Sequence, residues 1–390
     1  MTIADNLEAL ANQKLGYQDS VEACKVSLEN KDVVVPAGAK LADISGLIDE
    51  IEQGSGDPSI PVGTGQHLVT FYDFDGKVLK RQRVNTGEDA TAPLTPTHQF
   101  LTFAEWNNPF TNVQSDIYTG AIYNTRDGKT YLFITLTPVT RLAPTLYFSK
   151  SSTSLMTIDW GDGTTSTSTI IGNQSIQHTY AVAGDYIITV DNSAGGIFNF
   201  GNSTSATRIF NPQNILIKVY FGENITIAGQ QAFHGCASLK YVSFNDISIG
   251  FESFAYCRKL EFVALNNIIN SNYSFTDNPS LFKIIFKSTM QTRTWVTTLA
   301  NAFSLRKIIL TENIILIDTT AFTNSSNIEE YILLCNTVPT LSNISAFNGI
   351  SPTCKIYFKD SIVNDVKLAT NWVTYADYIY PLSQKPQSNE

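Results

Sequence analysis

The sequence predicts a multidomain, mainly β protein that opens with a short helical segment and closes with a solenoid of stacked coils. Three observations carry this prediction. A short phrase of apolar anchors recurs five times between residues 233 and 334. Two earlier stretches, 67–123 and 156–190, alternate apolar and polar residues around glycine-containing turns, the period of half-buried strands. The chain has 390 residues, more than one core serves, so roughly two to four domains are expected.

Residues 1–53 read as a docking or oligomerisation segment. Ile3, Leu7 and Leu10 mark one short amphipathic helix, and Leu41, Ile44, Leu47, Ile48 and Ile51 mark another, with VVVPAG (33–38) between them. Neither helix is long enough to be stable alone. Their apolar faces therefore need copies of themselves, a larger particle, or the chain's own surface. The end of the segment, KLADISGLIDEI (40–51), resembles N-terminal segments of bacteriophage tail and fibre proteins. The resemblance implies capsid or tail proteins as partners and a homo-oligomer, a trimer first. Residues 54–66 then form a linker, since EQGSGDPSIPVGTGQ (52–66) carries four glycines, two prolines and no apolar period.

Residues 67–125 form a hairpin-rich module turning at Asp75 and Gly76. Its VTFYDFDGKVLKRQRV, proline-containing loop, Trp106 and FTNVQSDIYTGAIY resemble the internalin-type B repeat, which implies a β-grasp-like fold with Trp106 as a core aromatic. In the module at 126–192, MTIDWGDGTTSTST (156–169) and QHTYAVAGDYIITV (177–190) resemble the two halves of a PKD domain, an immunoglobulin-like sandwich. KTYLFITLTPVTRLAPTLYFSK (129–150) supplies its preceding strands or bridges the two modules. Gly161 and Gly163 provide the positive φ of a tight turn, while His178, Tyr180 and Tyr186 alternate onto a strand pair. Asp159, Asp162 and Asp185 lack the ligand spacing of a calcium loop, so no metal is expected.

The region 205–382 is the solenoid. Its anchors Leu239, Leu260, Leu281, Leu305 and Ile328 step by 21, 21, 24 and 23 residues, and each is followed by apolar residues three and five places on. That is the period of a leucine-rich repeat coil, whose apolar face only a stacked neighbour can bury. QAFHGCASLKYVSF (231–244) and ESFAYCRKLEFVAL (252–265) resemble BspA-like leucine-rich repeats of bacterial surface proteins. Later copies change the cysteine slot to Asn278 and Ser325, and NAFSLRKIIL (301–310) reads as a shortened copy. Cys236 and Cys257 are accordingly small, half-buried packing residues rather than ligands or a disulfide. Residues 354–382 resemble the strand and helix that cap such arrays, with Trp372, Tyr375 and Ile379 at helical spacing. Between the anchors, Tyr241, Phe262, Phe282 and Tyr256 lie beside Lys240, Arg258, Lys259 and Lys283, and are the candidate receptor contacts.

Composition narrows function mostly by exclusion. A net charge of −9 offers no basic patch for nucleic acid. No signal peptide is expected from the first 20 residues, and no stretch reaches the roughly 20 apolar residues of a membrane span. His67, His98, His178 and His234 are dispersed, and no nucleophile elbow, zinc helix, P-loop or dinucleotide fingerprint occurs, so no enzyme and no cofactor is expected. Adhesive modules without an export signal suit a protein released by lysis within a virion. The expected function is a bacteriophage structural protein, a tail or head fibre whose solenoid attaches to a host surface glycan or protein. The alternatives are a bacterial cell-surface adhesin and, more remotely, a depolymerase of surface polysaccharide, which would need two carboxyls set across a cleft.

Overall fold

The computed structural model describes residues 65–138, 142–201, 208–223, 225, 231–244, 249–265, 273–287, 294–295, 299–310 and 312–386. Strands dominate them, in three sections along the chain. The first holds β1 (His67–Tyr72), β2 (Val78–Val84), β3 (Leu101–Trp106) and β4 (Ile117–Thr125), in sheet order β2-β1-β4-β3. β1 pairs antiparallel with β2 and parallel with β4. The hairpin turns where Gly76 takes φ +90°, and the Asp73 N–H donates to Lys77 O at 2.8 Å. Successive strand residues face opposite sides. Val69 and Phe71 thus enter a core with Val84, Ala90 and Val113, where Trp106 meets Phe71 edge-on at 5.0 Å. Tyr72, Tyr118 and Ile122 point the other way.

The second section contains β5 (Thr130–Leu136), β6 (Thr145–Lys150), β7 (Met156–Asp159), β8 (Thr165–Ser168), β9 (Gly172–Gln177), β10 (Gly184–Asp191), β11 (Phe198–Phe200) and β12 (Phe210–Asn211). One sheet runs β5-β10-β7-β8, and β6 pairs with β9, β11 and β12 in the other. Trp160 and Tyr180 are fully buried, and the Tyr180 hydroxyl donates to Trp160 O at 2.9 Å. Gly161 and Gly163 have φ +78° and +88°, the left-handed turn conformation read from the sequence. The Asp159 and Asp162 carboxylates accept the N–H groups of Gly161 and Thr164, so the turn consumes them.

The third section is a parallel strand ladder: β13 (Leu216–Tyr220), β14 (Tyr241–Ser243), β15 (Phe262–Leu265), β16 (Lys283–Phe286), β17 (Thr294–Trp295), β18 (Lys307–Leu310), β19 (Leu316–Ile317), β20 (Glu330–Leu333), β21 (Thr340–Leu341), β22 (Lys355–Phe358) and β23 (Ile379–Pro381). β17, β19 and β21 make a second, short ladder, while β18-β20-β22-β23 continue the main one. All five leucine-type anchors have 0% exposure, so they lie in the core that the repeat strands share. Two further coils escaped the repeat count. Leu216, Val219 and Phe221 use the same spacing one step earlier, and Ile356 and Phe358 use it one step later; all are buried. The end of the array is closed by α1 (Val363–Leu368) and a 3₁₀ stretch, Trp372–Tyr378, whose Trp372 indole N–H donates to Pro339 O at 2.8 Å.

Three sequence expectations about this array change. The copy at 301–310 is not shortened: Leu299 occupies the ring position and Ala302 the cysteine slot, both at 0% exposure, while Phe303 is 45% exposed. Counting back from Leu305 by the interval of the other coils reaches Leu299, which no aromatic marks. Cys236 and Cys257 are wholly rather than half buried, and burial pushes the Cys236 thiol up to about 12. The slot also supplies a hydrogen-bond donor, since Cys257, Asn278 and Ser325 donate to Phe233 O, Phe254 O and Leu299 O, the ring-position carbonyl of the coil before. Small residues therefore interchange there, donors in three coils and Ala302 without one, and the stacked rings Phe233, Phe254 and Phe275, within 10° of parallel, run beside them.

The sections pack against one another. β13, the first repeat strand, pairs antiparallel with β5 and parallel with β14, so one six-stranded sheet passes from the second section into the repeats. A single apolar core correspondingly runs from Leu132 to Ile379. The first section folds back onto the outward face of the ladder. There Tyr72, Tyr118 and Ile122 pack with Phe262, Ala264 and Ile285, and the Asn108 side-chain amide donates to Phe286 O at 2.8 Å.

Candidate functional site

The repeat array offers two faces, and they differ in availability. On the strand face, Phe262 is 1% exposed and lies 5.5 Å from the Tyr72 ring. The expectation that it is an exposed contact is corrected: the chain's own first section covers it. Tyr241 is half-buried beside Tyr220 and Phe133, with the Lys240 ammonium 4.8 Å from its ring. Phe282 remains 39% exposed but flanks the Gly76 turn, where an added Cβ would come within 2.8 Å of its ring. Lys283 is buried with its ammonium 3.9 Å from the centre of the Tyr118 ring, a cation–π contact. Asp116 accepts from Lys385 at 2.7 Å and from the Leu68 N–H at 2.9 Å, and stands 4.0 Å from buried Lys307. Burial pushes the Asp116 carboxyl up, but the Leu68 N–H and the two ammonium groups outweigh it and hold the group below its ordinary value.

Among the described residues the turn edge is open. A groove of about 350 Å³ crosses several coils there, lined by Tyr256, Tyr273, Glu252, Asn301, Thr323 and Asn324 among others. Tyr256, the fourth candidate contact, is 40% exposed. Sequence reasoning missed Tyr273, Asn301 and Asn324. Their signal was positional: Tyr273 lies two residues before the ring position Phe275, Asn324 two after Phe322 and Asn301 two after Leu299, and only the last needs Leu299 recognised as a ring position.

The histidines have local partners. His98 Nε2 lies 2.9 Å from Asp73, His178 lies 2.7 Å from Asp162 and stacks on Trp160, His67 pairs with Thr86, and His234 packs 4.9 Å from Tyr256. Among the described residues no group of three or more histidine, cysteine, aspartate or glutamate side chains could hold a metal ion, and no helix is long and apolar enough to cross a membrane. Cys24 and the candidate anchors Ile3, Leu7, Leu10, Leu41, Ile44, Leu47, Ile48 and Ile51 lie outside the described residues.

Residues 204–329 match the family model of the BspA type leucine rich repeat region, in 6 copies. The repeats are BspA-type. The matched span takes in the coil of Leu216, Val219 and Phe221, one of the two that the anchor spacing had not included. No curated protein and no solved structure matches the chain.

Proposed function

We propose that this is a non-catalytic recognition protein of adhesin type, which presents its BspA-type repeats to a bacterial surface. The observation that carries the reading is a six-copy repeat region whose strand face is occupied by the chain itself while its turn edge stays open. We read the first section as a β-grasp-like, internalin-type module and the second as a PKD-like sandwich. The repeats form a solenoid, and these two modules brace it and seal its first coil. The form we favour is a virion fibre of tail or head, with residues 1–53 gripping capsid or tail proteins and making a trimer. The phage-like segment 40–51 supports that form, and the bacterial surface adhesin is its alternative. The general reading is tested by adsorption of labelled protein to bacterial cells, with adsorption expected and its absence on every strain refuting it. The virion form is tested by labelling purified particles with antibody for electron microscopy. Deleting residues 1–53 should then leave a folded remainder that no longer joins particles or self-associates.

A further inference from the structure

We propose that the groove between Tyr256 and Tyr273 is a binding site for a neutral carbohydrate. This deepens the recognition reading and rests on it. The starting observation is a comparison of coils. Two residues beyond each ring position the chain turns through the left-handed region, at Gly235, Tyr256, Asp277, Asn301, Asn324 and Gly349, with φ from +58° to +82°. Five of these six are Gly, Asn or Asp, the residues that tolerate such a backbone. Tyr256 is the departure. Tyr273 also sits at φ +62°, two residues before its ring position, where Gln231 and Glu252 take the same turn in the coils before, so the departure is that of Tyr256 alone. A bulky residue in a slot where its neighbours use permissive ones points to a role other than folding.

The groove shows what that role is. Tyr256 leaves 40% of its surface exposed, yet the ring is braced, with His234 at 4.9 Å on one side and the Asp277 carboxylate beside its hydroxyl. Phe251 meets the Tyr273 ring edge-on at 5.6 Å. Asp277 also accepts from the Asn301 side-chain amide at 2.9 Å, which orients that amide. Two braced aromatic rings thus share the groove lining with Asn301, Asn324, Thr323 and Glu252. The Thr323 hydroxyl donates to Ser345 O and the Glu252 carboxylate accepts from the Gln231 amide, which holds both in place. Sugar rings need that combination, because their C–H faces lie on aromatic rings while their hydroxyls both donate and accept. Among the described residues no Lys or Arg lines the groove, and the Arg258 charge that reaches the Tyr256 hydroxyl is outweighed there by Asp277 and Glu252. Its volume of about 350 Å³ falls at the small end of ligand pockets and suits a short sugar segment rather than the broad surface of a protein partner.

The test uses the full chain and a panel of immobilised neutral polysaccharides, namely glucan, mannan, galactan and chitin oligomers, with alginate as the anionic control. Wild type should bind at least one neutral member and not alginate. Tyr256→Asn, the residue that the Asn301 and Asn324 turns use, should weaken binding at least ten-fold while leaving the melting temperature equal or higher. Tyr273→Ser should weaken it similarly. A purely structural Tyr256 would lose stability instead. Adsorption to bacterial cells that were treated beforehand with periodate or with protease separates this inference from the reading beneath it. Loss after periodate alone supports the sugar. Loss after protease alone, or unchanged binding in both variants, overturns the sugar and leaves surface recognition standing. Absence of any adsorption overturns both.

Discussion

Replacing Gly120 with alanine asks whether the first section is docked on the repeats, because the sign of the effect depends on it. Gly120 lies in β4, facing the ladder, and an added Cβ would stand 2.5 Å from the Ala264 Cβ, far inside contact distance. Its φ is not in the left-handed region, so alanine carries no local penalty. In a free strand alanine would even stabilise by about 0.5–1 kcal/mol. Docked, the extra carbon must push the sheets apart or strain β4, which the Gly120 N–H ties to Asn107 Oδ1 at 2.8 Å, and overpacking of this kind costs about 1–3 kcal/mol. Ala264→Gly removes the opposing carbon, so the double variant should recover much of the loss, with a coupling of about 1–2 kcal/mol. Urea unfolding of the full chain and the three variants gives the cycle. A stabilising Gly120→Ala, or a coupling within about 0.5 kcal/mol of zero, refutes the docking.

Other expectations follow from the repeat core and the charged contacts. Leu260→Ala or Leu281→Ala should cost about 2–5 kcal/mol and loosen neighbouring coils, whereas Cys257→Ser, which keeps a donor for Phe233 O, should be much milder by urea denaturation. Asn278→Ala should cost about 1–3 kcal/mol, since Phe254 O loses its donor in a buried place. Cys236 and Cys257, fully buried with thiols pushed up by burial, should resist thiol-labelling reagents in native protein and react in urea, as mass spectrometry would show. The Asp116 carboxyl is held below its ordinary value, so its contribution is complete above the unfolded value near ~4 and fades as pH falls through the lower folded one. Asp73, held up by burial, works in the opposite sense, so the clean measurement compares wild type with Asp116→Asn. The variant should be less stable at neutral pH by about 3–5 kcal/mol, toward the low end because Lys307 keeps Glu330 at 3.3 Å, and its stability should fall less on acidification.

The repeat period, the buried anchors and the tight glycine turns were determined by the sequence alone, because each is a local demand. A coil must repeat its apolar spacing to stack, and a tight left-handed turn such as that of Gly161 and Gly163 favours glycine. Leu299 and Leu216 show where that legibility fades: a ring position filled by leucine, or a coil begun within another module's sheet, meets the same physical need without the usual letters. The tertiary structure alone decided which face is free. Phe262 and Tyr256 both read as exposed-type aromatics between anchors, yet one lies under Tyr72 and the other beside an open groove. Nothing near residue 262 announces its cover, since Tyr72 and Gly120 come from a module far back along the chain. Burial is a property of what packs against a residue, and contacts between distant segments are settled by shape and apolar area that no local pattern spells out.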